Sequence, residues 1–468
     1  MSDKVKSGVL LLLLLTVFLG MFAIFGPGVY NDSDQYLKMH IHREPLYPLF
    51  LAALRMIFRE GWLIVMGIIQ NAFMAVSIWL FAEYISKRFS LRLWGEVVVI
   101  AIGVLPHMVT KYVSSLHLFI TNSVMSEALC LPFFTLFMME CFKIFTEEKE
   151  SGFRRAAVCA VILAFFISLI RTQMMVTILI WMVVVGVRIL FWPVERWRRR
   201  TWQMPRNGKW KARCLLVVVA IVAGIFGIRL LAVKSYNLVF NGHFINNTYG
   251  TVNTLTNILY ASDREDGEGI KDEEARAFFY RMYDLTEERQ ANYKYAGSSF
   301  TEKAEHIEAW HDTIKYEMIE DVFYQTYDKT VTSDYIVQNL MADETAGKII
   351  RGIWPGCFFR WLGNYLLIAI YGAIRSIAVV HPIISLAAGF IYLSAFALVL
   401  LAYRKDAENP AIPVMLISIL AILANVGAVS MTIMCLSRYM IYGFAPFYTG
   451  YFLLLLDLGR DLRRWRWK

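Results

Sequence analysis

Two carboxylates separated by one serine, in Asp32-Ser33-Asp34-Gln35-Tyr36, stand just beyond a long apolar run. A few residues later come His42-Arg43-Glu44 and then Pro45-Leu46-Tyr47-Pro48. Carboxylates in such a place have two readings. They can take a proton from a reacting group, or they can serve the helix that starts near Gln35, with Asp32 or Ser33 as its cap and Asp34 favoured by the dipole of the first turn. An acidic pair, a tyrosine, a cation and then a proline-bounded amphipathic helix make an unusual series for an ordinary loop, and this tilts the balance toward chemistry. The nearby His40-Ile41-His42 is the one place where a divalent cation would find imidazoles, although i, i+2 histidines diverge on a helix. Glu127, Arg171 and Arg438 also lie at the margins of apolar runs. Their plain readings are a first-turn acid and two snorkelling arginines; ionisable groups at membrane depth are nevertheless costly and often functional.

The elements that must position these residues are membrane helices. Of 468 residues, 57% are hydrophobic and 18% charged, against about 45–50% and about 25% in soluble domains. The mean hydropathy is +0.48. Apolar runs of spanning length recur through both ends of the chain, so the expected fold class is all-α, a polytopic transmembrane helical bundle. Spans are expected near 8–26, 62–86, 93–111, 119–143, 154–171, 173–192, 213–234, 381–403, 411–434 and 439–458. The first follows Lys4 and Lys6 and lacks a small-residue cleavage site, which reads as a retained span rather than a signal peptide. Lys87/Arg88/Arg92, Arg154/Arg155, the Arg196–Arg213 cluster, Arg404/Lys405 and the tail Arg460–Lys468 then share the cytoplasmic side with the N-terminus. An eleventh apolar stretch, 353–380, is flanked or interrupted by Arg351, Arg360 and Arg375. Crossing there would reverse the basic tail, so it is expected as a membrane-embedded or interfacial helix on the outer side.

Three regions follow: 1–233, a membrane core with its first outer loop at 27–61; 234–352, a mainly helical extracytoplasmic domain; and 353–468, the C-terminal membrane region. The net charge of +9 hides a split, because Ser262–Thr345 holds 21 acidic and 9 basic residues. The basic excess therefore belongs to short links between spans and marks topology; a nucleic-acid partner is not expected. Within the polar domain Ser299-Phe300-Thr301-Glu302 has the form of a capping box. That region also holds 11 of the 24 tyrosines, between Tyr236 and Tyr335; tyrosines in a small helical domain mostly serve the core. The six cysteines lie in or beside apolar runs and match no zinc pattern. No Walker or dinucleotide fingerprint is present.

With Asp32 four residues before Tyr36, and Pro45-Leu46-Tyr47-Pro48 after it, the chain resembles the GT-C class of integral-membrane glycosyltransferases, especially bacterial relatives of the protein O-mannosyltransferase and aminoarabinose-transferase groups. Ser126-Glu127 is similar to that class's second acidic site. Arg171 stands where relatives often carry a basic turn, and Arg438-Tyr439 with Pro446 is similar to their closing "RY…P". The pattern departs from its nearest models in having the second acid at Asp34 rather than directly beside Asp32.

The resemblance implies a donor sugar on a polyprenyl phosphate, transferred at the outer membrane face to a glycan, lipid or protein acceptor, among membrane lipids. The leaving group is an anionic phosphate, so the site needs a base for the acceptor hydroxyl and cations for the growing phosphate charge. Asp32 would be the base, with Asp34 or Glu127 orienting it or the acceptor. His42, Arg43, Arg171 and Arg438 would hold the phosphate, and Tyr36, Tyr47 and Tyr439 would position substrate. The resemblance singles out no definite cofactor, a divalent cation being the single candidate. A polysaccharide polymerase of the O-antigen or EpsG kind is the alternative enzyme, and a transporter or flippase of lipid-linked sugars the alternative from another class. The latter calls for charges at mid-bilayer on broken helices.

Overall fold

The computed structural model describes residues 3–30, 32–114, 117–191, 208–248 and 250–465. Residues 196–207 of the expected basic cluster and 466–468 of the tail lie outside the described residues. The chain forms α1 (Asp3–Phe25), α2 (Ser33–Leu37), α3 (Leu46–Phe58), α4 (Trp62–Arg88), α5 (Leu93–Tyr112), α6 (Ser126–Thr146), α7 (Glu150–Ser168), α8 (Val176–Phe191) and α9 (Gly208–Asn241). There follow α10 (Gly250–Tyr260), α11 (Glu273–Glu288), α12 (Phe300–Thr313), α13 (Asp321–Thr330), α14 (Tyr335–Ile377), α15 (Pro382–Lys405), α16 (Ala411–Ser430), α17 (Ser437–Met440) and α18 (Phe444–Trp465). Among the described residues there is no strand beyond one isolated bridge, between Gly28 and Ser123. The fold is an all-α polytopic bundle, with 11 helices among the described residues long and apolar enough to cross a membrane.

Two compact units divide the chain. The first comprises Met1–Phe244, Ser376–Asn425 and Ser437–Lys468. Its long helices alternate in direction. Contacts gather the end of α1, the segment before α6, the α7–α8 turn and α17 at one end of the bundle. The opposite end carries the Lys6–Glu96 pair at 2.6 Å and the Lys405–Asp457 pair at 3.3 Å. At the first end Asn241 of α9 donates to Met39 O (3.1 Å), and Tyr448 of α18 donates to Ile377 O (2.7 Å). The chain thus leaves this unit and re-enters it at the same end, and among the described residues ten long helices belong to it: α1, α4 to α9, α15, α16 and α18.

The eleventh candidate, α14, is a single helix of 43 residues that contains most of the 353–380 stretch. It belongs to the second unit, Ile245–Arg375 with Val426–Leu436. The arginines that interrupt the apolar stretch have partners there. Arg360 donates to Ala261 O (2.9 Å) and pairs with Asp263 (3.1 Å), and Arg375 pairs with Glu308 (2.8 Å) and donates to Cys435 O (3.1 Å). The Ser299–Glu302 capping box opens α12. Tyr260, Tyr283 and Tyr327 are buried in this unit's core, Tyr327 stacked on Phe323 with centroids 5.8 Å apart.

In the first unit α6 is the central helix, with 83% of its apolar window buried. It starts later than the expected 119, because Asn122 and Ser123 engage other backbone instead of a helix. Gly28 N–H donates to Asn122 O (2.9 Å) and Val124 N–H to Gly28 O (2.8 Å). The buried amides Gln70 and Asn71 of α4 donate to Thr121 O at 3.0 and 3.2 Å. In the loop between α1 and α4, α3 buries Tyr47, Pro48, Leu51 and Leu54, while the apolar Met56 and Ile57 are exposed.

Helix α1 lies against α4 through Gly67, where an added Cβ would stand 2.0 Å from the Phe22 ring. Gly20, by contrast, has open space around it. Gly67→Ala is therefore expected to destabilise the bundle by about 1–3 kcal/mol through overpacking, while Gly20→Ala leaves it unchanged or slightly firmer. Thermal unfolding in detergent measures both.

Candidate active site

Helix α2 begins one residue after Asp32, which occupies its N-cap position, yet the Asp32 side chain makes no capping hydrogen bond. Ser33 holds the turn instead: its hydroxyl accepts from Tyr30 N–H (2.9 Å) and donates to Val124 O (2.8 Å). This ties the loop after α1 to the segment that leads into α6. The Asp32 carboxylate is left to face two arginines, Arg43 at 2.8 Å and Arg438 at 3.2 Å. Arg43 lies on the turn before α3, and Arg438 on α17.

From there the contacts close into a ring. Arg43 also donates to Tyr36 Oη (3.2 Å), whose hydroxyl shares a 3.0 Å hydrogen bond with Ser126 Oγ. Ser126 Oγ accepts from Arg171 (3.0 Å), and Arg171 pairs with Glu127 at 2.6 Å. Glu127 stands 3.9 Å from Arg438 Nε, and Arg438 returns to Asp32. The ring holds three guanidinium groups against two carboxylates, a balance of +1. Tyr439 closes one side: Arg438 donates to its hydroxyl (2.7 Å), and the guanidinium carbons of Arg438 and Arg171 lie 4.8 and 5.0 Å from its ring centre.

Exposure grades across the ring. The side chain of Glu127 is 1% exposed, Arg171 12%, Arg438 21%, Arg43 22% and Asp32 31%. Glu127 is the floor, in the first turn of α6 where the helix dipole favours an anion, and Asp32 is at the open side. The Nε–H groups of Arg171 and Arg438 are buried without a hydrogen-bond acceptor. At Asp32, burial opposes ionisation, but the charges of Arg43 and Arg438 outweigh it and hold the carboxyl below the usual carboxylate range. In the resting site Asp32 is ionised and only weakly basic.

Seven of the expected residues therefore meet: Asp32, Tyr36, Arg43, Glu127, Arg171, Arg438 and Tyr439. Three do not join the ring. Asp34 forms an exposed pair with Lys38 at 2.7 Å, on the outer side of the short α2. His42 lies beside His40 with ring centroids 4.6 Å apart and the rings tilted by 47°; residues 39–45 are turn rather than helix, so the two imidazoles converge where helical spacing would separate them. Burial, then the charge of Arg43, pushes His40 below its ordinary value, which keeps it neutral beside the cations. Tyr47 is fully buried beneath the ring, where it donates to Gln70 (3.0 Å) and meets Tyr36 edge-on at 5.1 Å. It positions Tyr36 and does not reach the open side.

The donor set does not fit a resident divalent cation. Both ring carboxylates are engaged by guanidinium groups, and among the described residues no three His, Cys, Asp or Glu side chains gather with ligand geometry. The sequence reading missed the supporting amides. Gln173 accepts from Arg171 (2.9 Å) and lies 3.3 Å from Asn425, whose amide donates to Tyr439 O (2.8 Å). The signal was present, since Asn425 is the one side-chain amide within the mainly apolar α16, and Gln70-Asn71 sit inside an apolar stretch of α4.

Glu127→Gln leaves Arg171 without its buried partner, and a loss of about 3–5 kcal/mol is expected; Asp32→Asn costs less, because water reaches the released arginines. The ion pairs of Asp32 stabilise the fold above the ordinary carboxyl value of about 3.9 and lose that contribution as pH falls through the lower folded value. Unfolding temperatures followed from pH 6 downward should accordingly drop further in the parent than in Asp32→Asn. Compared with known proteins, the chain matches no family model, no curated protein and no solved structure.

Proposed function

We propose that the protein is a membrane glycosyltransferase that moves a sugar from a polyprenyl-phosphate donor to an acceptor hydroxyl at the extracytoplasmic face. One observation supports this reading above the rest: an ionised carboxylate stands at the open side of a ring with surplus guanidinium charge, at one end of a ten-helix bundle. A lipid-borne phosphate suits that ring in charge, in bidentate geometry and in its approach along apolar helices.

In the proposed reaction the acceptor oxygen bonds to the anomeric carbon as its proton passes to Asp32. The bond between that carbon and the phosphate oxygen breaks, and its electron pair leaves on the phosphate. Arg43, Arg171 and Arg438 stabilise the charge that grows there. A single displacement inverts the anomeric configuration. The pairing of Asp32 with two arginines fits this course: a phosphate that draws Arg43 and Arg438 toward itself removes what holds the carboxyl low, so the base strengthens when donor is bound. Glu127 holds Arg171 in place.

The same reading puts both termini in the cytoplasm and residues 234–352 outside. The basic links Lys87/Arg88/Arg92, Arg154/Arg155 and Arg404/Lys405, which join helices at the end remote from Asp32, support it.

Purified protein given defined polyprenyl-phosphate sugars is expected to transfer sugar with inversion. Asp32→Asn should lower turnover by about 100- to 10,000-fold, the range of a lost general base, and Asp34→Asn should leave it near the parent rate. Equal turnover in Asp32→Asn, or retained configuration in the product, would remove the proposed step. Independently, a cysteine placed at exposed Lys38, in a variant lacking Cys159 and Cys214, should react in intact cells with a membrane-impermeant maleimide. Labelling only after lysis would reverse the orientation.

A further inference from the structure

Beside the ring lies a second charged group that takes no part in the proposed step. Glu44 follows Arg43 directly, and its side chain turns inward, 2% exposed, to pair with Arg229 of α9, itself 6% exposed. The same carboxylate oxygen accepts from the hydroxyl of Thr172 at 2.7 Å. Thr172 is the residue after Arg171. One buried oxygen therefore connects the neighbour of one ring arginine to the neighbour of another. The backbone around it is drawn into the same junction: Leu46 N–H donates to Leu169 O (2.9 Å), and Arg229 Nε–H to Ser168 O (3.4 Å).

Arg43 and Arg171 approach from chain stretches 128 residues apart, counted between Glu44 and Thr172, and each is carried on a turn rather than on a long helix. Nothing in either turn alone sets the spacing of the two guanidinium groups. A hydrogen bond to an ionised acceptor is short and directional, and a carboxylate held in an apolar interior by a paired arginine has little freedom to move. The third member, Arg229, comes from the helix that ends beside Met39, so the junction also fixes the loop to α9.

We propose that Glu44, neutralised by Arg229 and bonded to Thr172, is a positioning residue that sets the separation of Arg43 and Arg171 and thereby shapes the anion-binding ring. The inference rests on the reading of that ring as the seat of sugar transfer, but its geometry can be tested without transfer.

Glu44→Gln alone strands the Arg229 charge and can prevent folding, so the informative variants are Thr172→Val, which removes only the bridging hydroxyl, and the double variant Glu44→Gln/Arg229→Met, which removes both charges. Each is treated in detergent with phenylglyoxal, an arginine-selective dicarbonyl, and modification is mapped by mass spectrometry against exposed Arg264 as internal reference. The relative rate at Arg171 or Arg43 is expected to rise about tenfold, the weight of one hydrogen bond to a charged group, and Thr172→Ser is expected to match the parent. Where transfer is measured, kcat should fall about 100-fold with donor KM little changed, as for a misplaced group. Unchanged relative rates at both arginines in both variants would overturn the proposal, whatever their unfolding temperatures. A parent without transferase activity would count against the glycosyltransferase reading and leave the reagent test to decide this one.

Discussion

An ion removed from water is costly unless it is paired, and in this protein three guanidinium groups are drawn into one end of a helical bundle together. Much of the first unit's architecture at that end answers this single constraint. Arg171 needs Glu127, which the first turn of the most buried helix supplies; Arg43 and Arg438 need Asp32, which a short turn after α1 supplies. Within the ring the count is three against two. An anion from outside would balance it, which is why the proposed donor chemistry and the electrostatics of the resting site belong to the same argument.

The second layer of polar groups has a different task. Ser33, Gln70, Asn71 and Asn122 do not touch the ring, yet they bond the backbone of the first loop and of the segment before α6 into one surface. Main-chain groups in 117–125 would otherwise go unpaired in an apolar setting, at a cost of several kcal/mol each by the ~4–8 kcal/mol scale for transfer without hydrogen bonds. Buried amides on α4 are thus the reason that an irregular stretch can persist where a helix would be the simpler solution.

This also marks where the sequence was legible. Asp32, Arg43, Glu127, Arg171 and Arg438 stood out because charges at the margins of apolar runs are few, and few alternatives compete for them. The bundle itself was legible because hydropathy averages over whole helices. Asp34 and His42 were not separable from their neighbours on the same grounds: in a helix of five residues and the turn after it, tertiary contacts decide which side chain points inward. The start of α6 shifted for a related reason, since a hydropathy window sees the apolar Leu118 and Ile120 but not the backbone partners of Asn122 and Ser123. The 353–380 stretch shows the opposite case. The acids that pair with its arginines, Asp263 and Glu308, lie too far away in sequence to be matched in advance.

Asp32 and Arg438 are separated by 406 residues and meet across the whole length of the chain. During synthesis the first carboxylate is made near the beginning, and its second cation arrives only with the last helix of the bundle. Until α17 and α18 are inserted, one side of the ring stays open and Asp32 keeps Arg43 alone. A chain that lacks α17 and α18 therefore lacks one of the three arginines, and the ring closes only once these helices have joined the bundle.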